Sequence, residues 1–115
     1  MRQGENAEVL IFKVLSNEVR LAIIKALFKA PMSVNEICET INEEQSRVSH
    51  ELRCLTTCRF VYFNREGKKM MYGLNRGTAT QIINAAENHA KLFGDNIKGC
   101  NTLSSIKQKS VTPVK

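Results

Sequence analysis

The feature that most constrains the fold is a continuous stretch, residues 33–74, in which two short amphipathic helical patterns precede two strand-like runs. A tight polar turn separates the helical patterns, and a basic turn that contains Gly67 separates the strand-like runs. Two helices joined by a short turn and followed by a hairpin have the layout of a winged helix-turn-helix. We therefore predict an α+β fold that is mainly α, with a small β-hairpin wing.

Two further helices are predicted before this stretch, from apolar residues that recur at helical spacing. The first covers residues 5–15 and is expected to be mostly buried, because few of its positions are polar. Ser16 or Asn17 can accept hydrogen bonds from the first free amides of the second helix. Pro31 is expected to stop the second helix, because proline lacks the amide that a helix interior requires.

The third and fourth helices form the predicted helix-turn-helix. Ser33 and Glu36 have the spacing of a capping box, in which a hydroxyl and a carboxylate satisfy each other's backbone amides. Asn42 marks the turn and, with Gln45, repeats this cap pattern for a fourth helix over residues 44–58. That fourth helix is the one expected to read DNA, because its outward face is polar and basic while its inward face is apolar.

The wing and the C-terminal region complete the predicted organisation. Strand-forming residues flank a basic turn over residues 64–68, and Lys69 opens the second strand, so the tip of the wing covers residues 64–69. A fifth helix is predicted over residues 78–93. From residue 94 onward the chain is polar and lysine-rich without a sustained period, apart from one short helical turn expected near residues 103–108. We predict one domain over residues 1–93, used for DNA binding and dimerisation, and a basic flexible tail over residues 94–115.

The charge distribution favours a nucleic-acid partner. The formal net charge is +6, and residues 44–76 alone carry seven basic side chains against three acidic ones. Basic residues on a helix and a hairpin attract phosphates through counterion release. The candidate contacts with double-stranded DNA are the polar or basic residues of the fourth helix and the wing, namely Gln45, Ser46, Arg47, Ser49, His50, Arg53, Arg65, Lys68 and Lys69.

Other classes of protein find little support. No apolar run approaches the ~18 residues of a membrane helix, and the N-terminus lacks the apolar core of a signal peptide, so we expect a cytoplasmic protein without a membrane partner. The chain has no glycine-rich phosphate loop, no paired acid/base carboxylates and no nucleophile motif, so we expect neither an enzyme nor a cofactor. A winged helix that docks proteins, without sequence-specific DNA binding, stays open as an alternative.

Three motifs resemble the ArsR (arsenic-repressor-like) family of prokaryotic transcriptional repressors. They are NEVRL at the start of the second helix, QSxVSxxL in the fourth helix and REGKxxxYxL in the wing. The resemblance implies a homodimer through the first and last helices, two recognition helices on an imperfect palindrome, and release from DNA by an inducer. Glu44 and Glu51 depart from the family pattern, and either carboxylate would repel phosphate if it faced the DNA.

The resemblance does not identify the inducer. Where arsenic-binding relatives carry Cys-Val-Cys, this chain has Ser33, Val34 and Asn35. In the last helix, His89 and Glu87 have the wrong spacing for a zinc site. We therefore predict no metal site of either type. The remaining thiol candidates are Cys54 and Cys58, four residues apart, with Cys38 or Cys100 as a third ligand. They would bind a thiophilic ion or act as a redox switch, and the alternative is that they simply pack in the core.

Overall fold

The computed structural model describes residues 6–103. The chain divides into two compact units, one up to Thr80 and one from Gln81 onward, and each is described by itself. In chain order the elements are α1 (Ala7–Leu15), α2 (Glu18–Leu27), β1 (Met32–Ser33), α3 (Val34–Ile41), α4 (Gln45–Thr57), β2 (Val61–Glu66), β3 (Lys69–Leu74) and α5 (Thr78–Lys98). The fold is mainly helical with a small antiparallel sheet, so the predicted fold class is confirmed.

Side-chain caps define the starts of α2 and α3. The Asn17 side chain accepts a 2.9 Å hydrogen bond from the Arg20 amide, which selects Asn17 over Ser16 as the cap of α2. At α3 the predicted capping box is present: the Glu36 amide donates to Ser33 Oγ at 3.2 Å, and the Ser33 amide donates to Glu36 Oε1 at 2.8 Å. Both caps supply acceptors for amides that have no partner within the helix.

The start of α4 differs from the prediction. Asn42 does not cap it, because Asn42 ends α3 in the left-handed conformation, with φ of 59° and its amide donating to the Cys38 carbonyl oxygen. Asparagine tolerates this conformation better than most residues, which explains its place at the turn. The cap position of α4 is Glu44, whose side chain makes no capping hydrogen bond.

The core of the first unit forms where α2, α3 and α4 pack together and against the sheet. Its buried side chains are aliphatic or aromatic and come from all these elements: Ile23, Ile24, Leu27, Ile37, Val48, Leu52, Leu55, Phe60, Val61 and Leu74. Val48, Leu52 and Leu55 are the inward residues of α4 that its apolar periodicity predicts. Burying this face of α4 turns the opposite face to solvent.

Helix α1 is more exposed than its sequence predicts. None of its residues is buried in the single chain, and Val9, Leu10 and Phe12 are 52%, 39% and 65% exposed. The prediction of a mostly buried first helix is therefore wrong for the isolated chain. Its apolar residues spread around more of the helix than the other elements of one chain can cover.

The sheet joins the wing to the helix-turn-helix. Its strand order is β1-β3-β2, and all neighbours are antiparallel. In β1, Met32 pairs with Tyr72, and at the tip of the wing Glu66 pairs with Lys69. Lys69 opens the second strand as predicted, but the predicted turn over residues 64–68 is too long, because Gly67 has φ of 64° and permits a two-residue turn. Strand pairing therefore continues to Glu66.

The second unit contains most of α5. The helix runs to Lys98 and is kinked at Phe93, where φ is −128° and ψ is 22°. The predicted end at residue 93 coincides with this kink, but a second helical segment, which the sequence did not predict, follows up to Lys98. Residues 101–103 are also helical, whereas most of the turn predicted over residues 103–108 lies outside the described residues. Within residues 6–103 no helix combines the length and apolar character needed to cross a membrane.

Candidate nucleic-acid interface

The outward face of α4 presents the predicted contact residues to solvent. Gln45, Ser46, Arg47, His50 and Arg53 are exposed, and Ser49 is half-buried. This face follows from the packing, because the apolar stripe on the other side of α4 lies in the core. Five of these six residues lie in the first half of the helix, the end that enters the major groove in helix-turn-helix proteins.

The wing presents three further candidates. Lys68 lies in the turn, while Arg65 and Lys69 lie in the paired strands beside it, and all three are exposed. The pKa of the Glu36 carboxyl is lowered, mainly by the backbone hydrogen bond from Ser33 and to a smaller extent by the charge of Lys69. Lys69 therefore lies near this carboxylate, and its charge acts in part on Glu36 at the start of α3.

A cleft of about 250 Å³ lies between α4 and the wing. Ser49 and Arg53 line its helical side, and Phe63 and Tyr72 line its sheet side. The two aromatic rings are register partners in the hairpin, with centroids 6.0 Å apart, and Phe63 remains 53% exposed. The structure thus brings two helix candidates, Ser49 and Arg53, to one surface with the hairpin, whereas the wing candidates Arg65, Lys68 and Lys69 do not line this cleft.

Glu51 is buried on the core side of α4, whereas the sequence raised the expectation that its carboxylate could face DNA and repel phosphates. It is 4% exposed, and its carboxylate binds Arg20 of α2 at 2.8 Å and Arg47 of α4 at 3.4 Å. The idea that this carboxylate repels DNA phosphates is therefore wrong. The signal was present, because Glu51 falls three residues after Val48 and four before Leu55, on the buried stripe.

The cysteines are all free thiols, and two of them are neighbours. Desolvation is the main cause of a raised pKa at the Cys58 thiol. Charge repulsion by Cys54 and a hydrogen-bonding interaction in which the Cys58 thiol donates to Cys54 raise this pKa further, while the Arg20 charge opposes the shift. Cys38 is half-buried in α3, and no group of three or more His, Cys, Asp or Glu side chains in residues 6–103 is arranged to hold a metal ion. Among residues 6–103, the predicted third thiol therefore does not join Cys54 and Cys58 in a three-ligand site.

Comparison with known proteins identifies the family. Residues 17–62 match the family model described as bacterial regulatory protein, arsR family. The chain is also 31% identical over 85 residues to the biofilm growth-associated repressor of Xylella fastidiosa, a match that covers 74% of this chain and 75% of that protein. The chain belongs to the ArsR family. This family comprises transcriptional regulators with a DNA-binding winged helix, so the expectation of a non-enzymatic protein is confirmed.

Two further similarities describe other members of the same structural group. A probable mercury resistance operon repressor of Streptomyces lividans is 29% identical over 86 residues, covering 70% of this chain and 69% of that protein. The solution structure of the homodimeric winged helix-turn-helix domain Mb0332 of Mycobacterium bovis has a TM-score of 0.62 at 18% identity, covering 82% of this chain and 95% of that one. The second similarity supports the ArsR winged-helix fold alone.

Proposed function

We propose that this ArsR-family chain is a transcriptional repressor that binds an imperfect DNA palindrome as a homodimer. Helix α4 enters the major groove, and the wing lies on the backbone or in the adjacent minor groove. The observation that carries the proposal is the cleft lined by Ser49 and Arg53 of α4 and by Phe63 and Tyr72 of the hairpin. Since one surface joins the two elements, both can contact the same stretch of duplex.

The homodimer is inferred from exposed apolar side chains in each unit. Phe12 in α1 is 65% exposed, and Leu92 and Phe93 in α5 are 73% and 46% exposed. Exposed aromatic and aliphatic side chains of this size are typical of surfaces that a partner covers. A two-fold dimer carries two α4 helices, which matches two half-sites about one helical turn of DNA apart. The homodimeric M. bovis domain supports this arrangement for the same fold.

The test begins with selection of a duplex from a randomised pool by the wild-type protein. Fluorescence anisotropy then compares this selected duplex with a scrambled duplex of the same composition over a range of salt concentrations. We expect tight binding to the selected duplex alone, two chains per duplex, and an affinity that falls steeply with salt because phosphates release counterions. Weak, equal binding to both duplexes would contradict the proposal and favour a protein-docking module.

A second proposal concerns the inducer. We propose that Cys54 and Cys58 bind a thiophilic ion and that this binding releases the protein from DNA. Two observations favour it: Cys54 in the last turns of α4 and Cys58 at its C-terminal cap are close enough for Cys54 to raise the pKa of Cys58, and a relative of this chain is a probable mercury resistance repressor. Thiolates are the ligands that soft ions such as Hg²⁺ and Cu⁺ prefer. Because the site lies in the recognition helix itself, ligation there would act directly on the DNA-reading element.

The thiol proposal is tested by adding Hg²⁺, Cd²⁺ or Cu⁺ to the protein bound to its selected duplex. We expect release by at least one ion, no release for Cys54→Ser with Cys58→Ser, and unchanged release for the control Cys38→Ser. The same titration on Cys100→Ser reports whether a third thiolate contributes. Without ion, the double variant should bind DNA as the wild type does. Release that persists in the double variant would exclude these thiols as the sensor.

A further inference from the structure

Glu51 is the one buried charged residue among residues 6–103. It occupies the recognition helix, between Val48 and Leu55 on the face that packs in the core. A carboxylate removed from water is unfavourable unless charged or hydrogen-bonding groups surround it. An apolar residue at this position would pack without that penalty, so the presence of a carboxylate there needs an explanation.

The two carboxylate oxygens of Glu51 have different partners. Oε1 accepts a 2.8 Å hydrogen bond from Arg20 Nη1, and Oε2 accepts a 3.4 Å hydrogen bond from Arg47 Nε. Arg20 is itself fixed, because its Nε donates at 2.8 Å to the Val14 carbonyl oxygen in the last turn of α1. A single chain of contacts therefore runs from the end of α1 through α2 to the outward face of α4.

The geometry at Arg47 leaves its reading end available. Glu51 engages Nε, whereas the Arg47 side chain is still 48% exposed. Arginine reads guanine by directing two of its nitrogens at O6 and N7 of the base. A long, flexible side chain loses rotamer freedom when it is fixed in such a contact. An arginine already held at Nε loses less of that freedom on binding DNA. Its exposed terminal nitrogens also keep a defined direction relative to α4.

We propose that Glu51 is a positioning residue for DNA recognition, which holds Arg47 so that its terminal nitrogens read a base edge in the major groove. Arg20 balances the charge of the buried carboxylate and fixes its orientation. The inference rests on the proposed DNA-binding function and adds a specificity role for a residue that does not itself reach the DNA. It also distinguishes Glu51 from Glu44, the exposed carboxylate at the start of the same helix.

The matched pair Glu51→Gln and Glu44→Gln tests this role, because each removes one negative charge from α4. The readout is selectivity, the ratio of affinities for the selected and scrambled duplexes. Glu51→Gln should lower selectivity roughly tenfold, within the range lost with one bidentate base contact. Glu44→Gln should raise both affinities alike and leave the ratio unchanged, since a lost exposed charge acts on any phosphate backbone.

A double-mutant cycle separates positioning from a general effect on the fold. If Glu51 acts through Arg47, then Arg47→Ala already removes the benefit, and adding Glu51→Gln should reduce selectivity no further. Additive losses, or unchanged selectivity in Glu51→Gln, would overturn the proposal. Circular dichroism checks that each variant is folded and measures its unfolding temperature. If Glu51 had a merely structural role, Glu51→Gln would lower the unfolding temperature without changing the selectivity of the folded fraction.

Arg47→Lys keeps the test decisive if Glu51→Gln does not fold. Lysine preserves the positive charge at a half-exposed position but cannot donate from an Nε–H to Glu51 or make the planar bidentate contact. We expect the selectivity of Arg47→Lys to fall as in Arg47→Ala, with the salt dependence of wild type. Wild-type selectivity in Arg47→Lys would overturn the inference. Absence of selectivity in wild type itself would instead overturn the proposed function, and this inference with it.

Discussion

Replacing Arg59 with glycine should stabilise the protein, because Arg59 has a backbone conformation that suits glycine. It follows the last turn of α4 with φ of 69°. Its amide donates to the Thr56 carbonyl oxygen at 3.2 Å, and the next amide, of Phe60, donates to the Leu55 carbonyl oxygen at 3.0 Å. This pair of hydrogen bonds is the Schellman arrangement, whose left-handed residue is usually glycine. The buried Leu55 and Phe60 hold Arg59 in place.

The expected gain follows from two opposing contributions. A side chain with a Cβ atom costs roughly 1–2 kcal/mol in the left-handed region. Glycine removes that cost but has more freedom to lose on folding, which offsets roughly 0.5–1 kcal/mol. The net stabilisation is therefore about 1 kcal/mol, which corresponds to a rise in unfolding temperature of about 4 °C for a domain of this size.

Thermal unfolding followed by circular dichroism measures this gain at fixed protein concentration, since a dimer's unfolding temperature depends on concentration. Arg59→Ala is the matched control: it also removes the guanidinium group but keeps the Cβ atom, so it should not stabilise. Asn42→Gly should stabilise less than Arg59→Gly, because asparagine tolerates its φ of 59°. Equal unfolding temperatures for Arg59→Gly and Arg59→Ala would refute the argument from backbone conformation.

Three further predictions concern the wing, the dimer and the thiols. Lys68→Ala should reduce the salt dependence of DNA affinity by about one unit without changing sequence preference, as expected for a phosphate contact, and an unchanged slope would exclude it from the interface. Phe12→Glu should weaken the dimer roughly thirtyfold in sedimentation equilibrium, since about 2 kcal/mol accompanies burial of a phenylalanine. The control Tyr62→Glu, at a wing position that is 48% exposed, should not weaken the dimer. If Tyr62→Glu weakened the dimer as much as Phe12→Glu, a role of α1 in the dimer interface would be contradicted. Because desolvation and Cys54 raise the pKa of Cys58, less thiolate is present at a given pH, so Cys58 should react with iodoacetamide only at higher pH than an ordinary thiol. Cys54→Ser should move that pH profile downward, and a profile at or below the ordinary value in wild type would contradict the shift.

The sequence predicts the parts of this fold that depend on neighbouring residues. Ser33 and Glu36 are three residues apart, so their reciprocal hydrogen bonds form within one turn and the capping box can be read directly. The inward stripe of α4 is likewise set by helical spacing, and burial of Val48 and Leu55 confirms it. For the candidate site, the same spacing predicts which α4 residues face solvent, while their contacts with DNA stay a prediction.

Features that depend on distant residues were missed or misjudged. Strand β1 is only two residues long, and its partners lie forty positions away, so no local pattern indicates it. Glu51 falls on the buried stripe of α4, but its partner Arg20 lies in another helix, so no local pattern indicates which cation neutralises the carboxylate. The helical segment that follows the kink at Phe93 is not predicted either, because the chain from residue 94 onward shows no sustained helical period.

The two residue pairs of β1 limit how freely this wing can be exchanged between related proteins. Met32 and Ser33 pair with Tyr72 and Met71, and Ser33 also caps α3. The hairpin is therefore anchored at its base to the first residues of the helix-turn-helix. A chimaera that receives only the hairpin of a relative would have mismatched side chains on β1, so a transplantable wing includes residues 32–33. In recombination between paralogues, crossover points between those residues and the hairpin would be disfavoured.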